Sequence, residues 1–258
     1  MLVAALDTAT LTLSCALCQV EGSAAELICD RTEHAPAKPG PRGPTGGHGA
    51  RLPGALNDLL VAVDRRLSDV EGYAVGLGPG SFTGLRVGLA TWKGLAYANR
   101  RPIAGASSLA AMALAAAPDA PEGTLLLPLL DARKGEVYAG FYRLDGGALE
   151  SVEPEAALSP QALLERAAGL SLSGRAPAAF GEGYEAWRSL LEGRLPRLAT
   201  EVATPPAHAV ARLAAARLAG AAYDPPALYA LEPHYIRLSE AEVKFPDGLL
   251  PGASRGRA

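Results

Sequence analysis

The sequence contains little cysteine, little lysine and few aromatic residues, and it has no long apolar run. Its three cysteines cannot all pair with one another, which excludes a disulfide framework as the basis of stability. The first apolar run ends at Asp7 and is too short for a secretion signal or a membrane span, so we expect a cytoplasmic protein without membrane contact. The 24 basic and 27 acidic residues give a net charge of −3, which argues against a stand-alone nucleic-acid binder.

The 258 residues, 49% of them hydrophobic, are enough for one large or two modest domains, and their pattern repeats. Asp7 and Asp131 follow apolar strands at equivalent points, 131 − 7 = 124 residues apart. The predicted elements are strands at 2–6, 13–17, 25–29, 73–77, 124–130, 136–143 and 178–180, and helices at 52–67, from the end of a turn at 78–84 to about 98, at 160–169 and at 205–222. We therefore predict an α/β fold of two halves, each a mixed sheet flanked by helices.

The repeat also divides the chain into parts. We predict a first half at 1–105, a second half at 106–245 and a flexible tail at 246–258. Residues 35–54 contain five prolines and six glycines, which predicts a mobile surface loop before the first helix. Pro160 and Pro205, each preceded by Ser or Thr, predict the starts of two helices in the second half.

A glycine-rich segment at 78–84 precedes the second predicted helix. Backbone amides at such a helix start can bind a phosphate, but a Walker loop requires Lys and then Ser or Thr after its last glycine. Here Gly84 is followed by Leu85 and Arg86. The segment therefore favours a turn that packs a helix tightly on a sheet over a phosphate site.

The other candidate sites are weaker. Asp7 and Asp131 could hold a hydrated metal beside a nucleotide, but Ala9 stands where a phosphate-binding hairpin needs glycine, so turn-capping aspartates are favoured. Cys15 and Cys18 lie three residues apart on one predicted strand and therefore point to opposite faces, which excludes a shared zinc ion. The four histidines show no pairing at helical spacing.

The second predicted helix is apolar around most of its circumference. Its apolar residues are Leu85, Val87, Leu89, Trp92, Leu95 and Tyr97. A helix of this kind is buried on more than one side, by its own domain or by a partner. In so small a half, few other layers could cover it, which favours contact with a partner protein.

Several motifs together resemble the signatures of the TsaB (YeaZ) family. They are GLGPGSFTGLRVGLATWKGLAYA at 76–98, LDTAT at 6–10, LDARKGEVY at 130–138 and HYIR at 234–237. The resemblance implies a duplicated actin-like/RNase H-like (ASKHA) fold. It also implies a subunit of the complex that transfers threonylcarbamoyl to N6 of the adenosine next to the tRNA anticodon.

The resemblance further implies that the chain is not an enzyme and carries no cofactor. The metal-binding His-x-x-x-His motif of the catalytic relative, TsaD, falls on Ser108 and Met112, neither of which offers an imidazole. The segment 180–183 keeps only a broken form of the paired glycines that hold adenosine in this superfamily. The alternative is a stand-alone ATP-dependent transferase or kinase of the actin-like superfamily.

In this family the two helices of the first half bind TsaD, or a second copy of the chain when TsaD is absent. TsaE, an ATPase, is the expected third protein, and tRNA is reached only indirectly through the complex. The contact candidates on the two helices are Leu52, Leu56, Leu59, Arg86, Val87, Leu89 and Lys93. Periodicity does not tell which side of each helix meets the sheet and which the partner.

Overall fold

A computed structural model describes residues 1–34, 47–146, 148–171 and 177–237. Its first sheet has five strands in the order β3-β2-β1-β4-β5. The strands are β1 (Leu2–Asp7), β2 (Leu13–Glu21), β3 (Ala24–Glu33), β4 (Gly72–Gly76) and β5 (Ile103–Ala106). The first three form an antiparallel meander, and β1, β4 and β5 run parallel to one another. Buried Val, Leu and Ala side chains on both faces of β1 fit a central strand covered on two sides.

The second sheet repeats this plan with four strands in the order β8-β7-β6-β9. Its strands are β6 (Leu125–Arg133), β7 (Glu136–Asp145), β8 (Ala148–Leu158) and β9 (Pro177–Phe180). Here too the first three strands form an antiparallel meander, and the last strand runs parallel to the first. The two mixed sheets flanked by helices confirm the predicted duplicated fold.

Eight α-helices cover these sheets in the described part of the chain. They are α1 (His48–Ala62), α2 (Phe82–Asn99), α3 (Ser108–Ala116), α4 (Pro160–Ser171), α5 (Glu182–Ala186), α6 (Arg188–Leu191), α7 (Ala207–Leu218) and α8 (Pro225–Ala230). Helices α1, α2 and α8 pack on one face of the first sheet, around Tyr73 and Trp92. Helix α7 packs on the other face. Helix α3 packs against both α7 and β6 and so joins the halves.

The first helix begins earlier than the sequence predicts. Residues 48–54, assigned above to a mobile loop, form the start of α1, because long-range side-chain bonds hold its first turn. The His48 ring bonds to the carbonyl of Thr10 (2.8 Å), and Arg51 donates to the carbonyls of Glu33 and Leu11. The helix also ends at Ala62, five residues before the predicted end. The rest of the predicted loop, 35–46, and the predicted tail lie outside the described residues.

The predicted start of the last long helix is also wrong. Helix α7 begins at Ala207, after a Pro206 cap that makes no side-chain bond, and it ends at Leu218 rather than residue 222. Its first amide instead donates to Ser14 Oγ on β2 (2.9 Å). By contrast, Ser159 caps α4 as predicted, since the Ala162 amide donates to its Oγ (3.2 Å).

Candidate functional site

The glycine-rich loop between β4 and α2 uses its amides within the protein. The Gly78 amide donates to Ser108 Oγ (3.1 Å), and the Ser81 amide donates to the carbonyl of Ala9 (2.6 Å). The Gly84 amide donates to the Oγ of Ser81, which caps α2. Amides that already have acceptors are not available to cradle a phosphate. The bonds of these three amides support a structural turn, the favoured one of the two interpretations above.

Two glycines of α2 bring this helix into direct contact with the end of β1. A Cβ atom at Gly84 would lie less than 3.0 Å from the carbonyl oxygen of Thr8, and one at Gly88 equally close to the Thr8 hydroxyl. The Thr8 hydroxyl in turn donates to the carbonyl of Gly84 (2.9 Å). Glycine is needed here because the two backbones approach closely.

The equivalent aspartates of the two halves perform the same local task. Asp7 Oδ1 accepts from the amide of Ala9 (2.8 Å), and Asp131 Oδ1 accepts from the amide of Arg133 (2.8 Å). Each carboxylate thus closes a turn with the amide two residues later, which is the Asx turn. The geometry supports turn-capping aspartates over a nucleotide-metal site.

Their environments differ. Asp7 is buried, and its Oδ2 accepts from Ser108 Oγ (2.6 Å). Burial raises the pKa of Asp7 to about 7, and the hydrogen bonds from Ser108 and Ala9 offset only part of this effect. Asp131 is more exposed and pairs with Arg133 at 3.0 Å. Asp7 therefore keeps its proton to a higher pH than an exposed aspartate does.

The positions that would ligate metal in the catalytic relative hold other groups. Ser108 bonds to Asp7, and Met112 is fully buried beside Gly181 in the core between the halves. Neither a serine hydroxyl so engaged nor a thioether suits the metal of a histidine pair. No group of three or more His, Cys, Asp or Glu residues that could hold a metal occurs in the described part of the chain.

The glycines after β9 are likewise packed. Gly181 has φ 101° and caps α5, and a Cβ atom at Gly183 would overlap the backbone of Leu129 and Leu130. Burial raises the pKa of Glu182 between them, which Arg133 partly offsets. This loop is a second tight turn between strand and helix.

The cysteines lie as predicted. Cys15 belongs to the core on the α1–α2 face of the first sheet, and Cys18 to the core on the α7 face. Burial raises the pKa of both thiols to about 12, so both are protonated and unreactive at neutral pH.

Four of the seven contact candidates are part of the chain's own core. Leu52, Leu56, Leu59 and Leu89 are between 1% and 6% exposed and pack on the first sheet. Their placement corrects the sequence interpretation, because the apolar stripe that the spacing revealed is the sheet-facing side of each helix. These leucines position α1 and α2 and are not available as surface contacts.

The other three candidates lie on two different sides of α2. Val87 faces α1, where its Cγ1 is 3.6 Å from the position of a Cβ atom on Gly49. Arg86 and Lys93 face the C-terminal segment, since Arg86 Nε donates to the Tyr235 hydroxyl (2.9 Å) and Lys93 Nζ to the carbonyl of Tyr229 (3.0 Å). The outer surface of α2 thus has an α1 side and an α8 side.

On the α1 side the exposed residues are small or uncharged. On α2, Ala90 and Gly94 follow Val87 at helical spacing, and on α1, Pro53 and Asn57 follow Gly49 in the same way. We call these residues, Pro53 and Asn57 with Val87, Ala90 and Gly94, the helix-pair groove. Small side chains there leave room for another helix to approach.

Sequence reasoning missed the exposed aromatic residues on the α8 side. Phe82, Tyr97, Tyr229 and Tyr235 are 39–63% exposed. The spacing of the cations could have indicated this side of α2, because Arg86, Lys93 and Arg100 follow one another at steps of seven residues. The rings from the C-terminal segment could not have been assigned to it, because only the fold brings them there.

Within the described residues, no helix is both long and apolar enough to span a membrane.

Comparison with known proteins gives consistent matches. Residues 41–245 match the family model for TsaD, tRNA N6-adenosine threonylcarbamoyltransferase. The tRNA threonylcarbamoyladenosine biosynthesis protein TsaB of Escherichia coli is 35% identical over 191 residues, 74% of this chain and 75% of the relative. TsaB of Bacillus subtilis is 29% identical over 245 residues, 95% of this chain and 98% of the relative. The solved structure of YeaZ from Pseudomonas aeruginosa superposes with a TM-score of 0.67 at 29% identity, covering 91% of this chain and 99% of that one.

Proposed function

The chain belongs to the TsaB (YeaZ) family, and from this membership we propose that it is a non-catalytic subunit that binds and supports TsaD. In the proposed complex, TsaD transfers threonylcarbamoyl to N6 of the adenosine next to the tRNA anticodon. The chain contributes a docking surface and no reacting group.

The lack of catalysis is inferred from the loops where an actin-like enzyme would bind its nucleotide. The amides of Gly78, Ser81 and Gly84 donate to acceptors in the protein, and Asp7 closes a turn. The histidine positions of TsaD hold Ser108 and Met112. These contacts leave no cluster of groups, among the described residues, that could orient a nucleotide and its metal.

The docking surface that we propose is the helix-pair groove of the first half, residues 1–105. Val87 and Ala90 line it from α2, and Pro53 lines it from α1. Arg86 and Lys93 lie outside it, on the α8 side of α2, and the buried leucines Leu52, Leu56, Leu59 and Leu89 hold both helices on the sheet beneath it. The small groove residues, which would let a helix pair of TsaD pack closely, carry this proposal.

The remaining parts of the assembly follow from the same family membership. TsaE joins as a third protein, and the chain forms a homodimer through the same groove when TsaD is absent, because an isologous contact can occupy an empty partner surface. The site of action is the cytoplasm. The second half, residues 106–245, supports the first through α3 and α7.

Reconstitution tests this function. Purified TsaD from the same organism, with TsaE, tRNA and the threonylcarbamoyl donor, is assayed for modified adenosine with and without the chain. We expect product only when TsaD is present and a large increase when the chain is added. Calorimetry of the isolated chain with Mg-ATP is expected to give no micromolar binding.

The outcome that would contradict the proposal is equally direct. If the isolated chain binds Mg-ATP at micromolar Kd and the Asp7→Asn variant loses this binding, the chain is a nucleotide enzyme. In that case Asp131→Asn should weaken the binding too, because the alternative places both equivalent aspartates around the metal.

A further inference from the structure

We propose that the α8 side of α2 is an RNA-contact surface, which the assembled complex applies to the tRNA backbone and its unpaired bases. Its core is a line of three cations, Arg86, Lys93 and Arg100, which we call the cationic stripe. The proposal rests on the proposed function, because the whole chain is too acidic to bind RNA strongly by itself.

Charge is unevenly distributed along the chain. Residues 72–118 contain no Asp or Glu, although the chain as a whole has 27 acidic residues. This segment includes all of α2. The net charge of −3 therefore conceals a helix whose charged residues are all positive.

Helical geometry places two of the three cations in line. Seven residues make about two turns of an α-helix, so Arg86 and Lys93 lie on one side of α2 roughly 10 Å apart. Arg100 directly follows α2 as its left-handed C-cap (φ 51°) and adds a third positive charge at the end of the helix. The stripe is about 21 Å long from Arg86 to Arg100, which is long enough to follow several nucleotides. A regular line of cations matches the regular negative charge of a phosphate backbone.

In the part of the chain that the structure describes, these cations have no carboxylate partners. Seven other arginines form ion pairs, namely Arg31, Arg51, Arg133, Arg166, Arg188, Arg197 and Arg237. Within the described ranges, none of the three stripe cations forms one. The C-terminal segment has two acids among its described residues 219–237, Asp224 and Glu232, and the Asp224 carboxylate is used to cap α8. The stripe thus presents uncompensated positive charge.

Aromatic rings flank the stripe at both ends. At the start of α2, the guanidinium of Arg86 lies 3.8 Å from the ring centroid of Phe82, which packs against Tyr235 at 5.2 Å. At the end of α2, the ring of Tyr97 lies 6.5 Å from that of Tyr223 and 6.4 Å from that of Tyr229.

Such rings suit an RNA ligand. Tyr97 and Tyr229 are more than half exposed, so each has ring surface on which an unpaired base can stack. Cations that alternate with exposed aromatic rings are the arrangement by which proteins bind single-stranded segments. A protein partner would instead be expected at the neighbouring helix-pair groove, where the exposed residues are small and uncharged.

The test measures RNA and TsaD binding separately. The probe is a fluorescently labelled anticodon stem-loop RNA whose anisotropy reports binding. The full chain is added to it alone and together with TsaD, at several salt concentrations. The stripe variant is Lys93→Gln with Arg100→Gln. The matched control is Arg194→Gln with Arg212→Gln, which removes two exposed arginines from α7 and the second half.

We expect the stripe variant to make the dependence of log affinity on log salt less steep, with a slope smaller in magnitude by about 1.4 to 1.8. At low salt the variant should bind about tenfold more weakly. Tyr97→Ala is expected to weaken binding about fivefold or more without changing the slope, because stacking releases no counterions. Both variants and the control should bind TsaD like the wild type.

Two results would overturn the proposal. One is RNA binding by the stripe variant that equals the control in affinity and slope. The other is loss of TsaD binding with unchanged RNA binding, which would make the stripe a protein interface. Failure of the wild-type chain to bind TsaD would instead refute the proposed function, and the RNA titrations of the chain alone would still decide the role of the stripe.

Discussion

The two halves begin alike and differ after the first strand that follows their antiparallel meander. After β4, Ser81 caps α2 with its side chain and the helix continues for 18 residues. After β9, Gly181 caps α5 without a side-chain bond, and Trp187 interrupts the helix, leaving pieces of five and four residues. The same topology thus carries a long exposed helix in only one half. The proposed binding surfaces, which both lie on this long helix, therefore belong to the first half.

Replacing the two tryptophans is expected to give the largest effect that distinguishes the two halves. Trp92 is fully buried in the first half, and its Nε1 donates to the carbonyl of Ala4 (3.0 Å). Trp187 is only half-buried in the second half, and its Nε1 has no acceptor among the described residues. We expect Trp92→Ala to lower the free energy of unfolding by about 3–5 kcal/mol, and Trp187→Ala by less than half as much. Urea unfolding measures both, and equal losses would contradict this account of the two cores.

The equivalent aspartates predict a difference in pH dependence. The pKa of about 7 for Asp7 lies above its unfolded value of about 3.9, so the folded protein binds the proton more tightly. The contribution of Asp7 to the free energy of unfolding is therefore fully present below about pH 4. It is lost as the pH rises towards 7, and the total loss is about 4 kcal/mol.

The Asp7→Asn variant should lack this loss. Asp131→Asn is the matched control, because it makes the same substitution at the more exposed aspartate of the other half and leaves Asp7 in place. Chemical unfolding from pH 4 to pH 8 tests this prediction. A wild-type profile parallel to that of Asp7→Asn would show that burial does not hold the proton on Asp7.

Two glycines of α2 allow a test within a single helix. A Cβ atom at Gly84 would overlap the Thr8 carbonyl, whereas one at Gly94 would meet nothing within 4 Å. We expect Gly84→Ala to lower the free energy of unfolding by about 1–3 kcal/mol and Gly94→Ala to raise it by about 0.5–1 kcal/mol. Thermal unfolding distinguishes the two, and a stable Gly84→Ala protein would contradict the close packing of α2 on β1.

The helix caps predict the smallest effect and a point where the halves agree. Ser81 Oγ accepts from the Gly84 amide, and Ser159 Oγ from the Ala162 amide, each at 3.2 Å. Replacing either serine by alanine is expected to cost about 1 kcal/mol. Clearly unequal losses in chemical unfolding would show that the two caps are not equivalent.

Local patterns were enough to predict much of this fold. Alternation and apolar runs placed most of the strands, and the equivalence of Asp7 and Asp131 revealed the repeat. The strand period alone put Cys15 and Cys18 on opposite faces. Such features depend only on residues near one another in sequence.

The remaining features depend on distant partners. The first turn of α1 is held by bonds from His48 to Thr10 and from Arg51 to Glu33, and α7 begins where Ser14 accepts its first amide. Periodicity shows which side chains share one side of a helix, but it does not show which side faces the sheet. For this reason the sequence predicts Leu56 and Leu89 at a partner surface, whereas both lie in the core. The tyrosines beside α2 come from a segment more than 120 residues later.

The most direct test of the central claim measures the mass of the assembly. Light scattering coupled to size exclusion is run with TsaD on the wild type, on Ala90→Glu in the helix-pair groove and on Ala216→Glu, an exposed residue of α7. We predict that the wild type and Ala216→Glu form a complex with TsaD, whereas Ala90→Glu stays folded and separate. A complex of unchanged mass and stability with Ala90→Glu would contradict the claim that the first half docks TsaD through this groove.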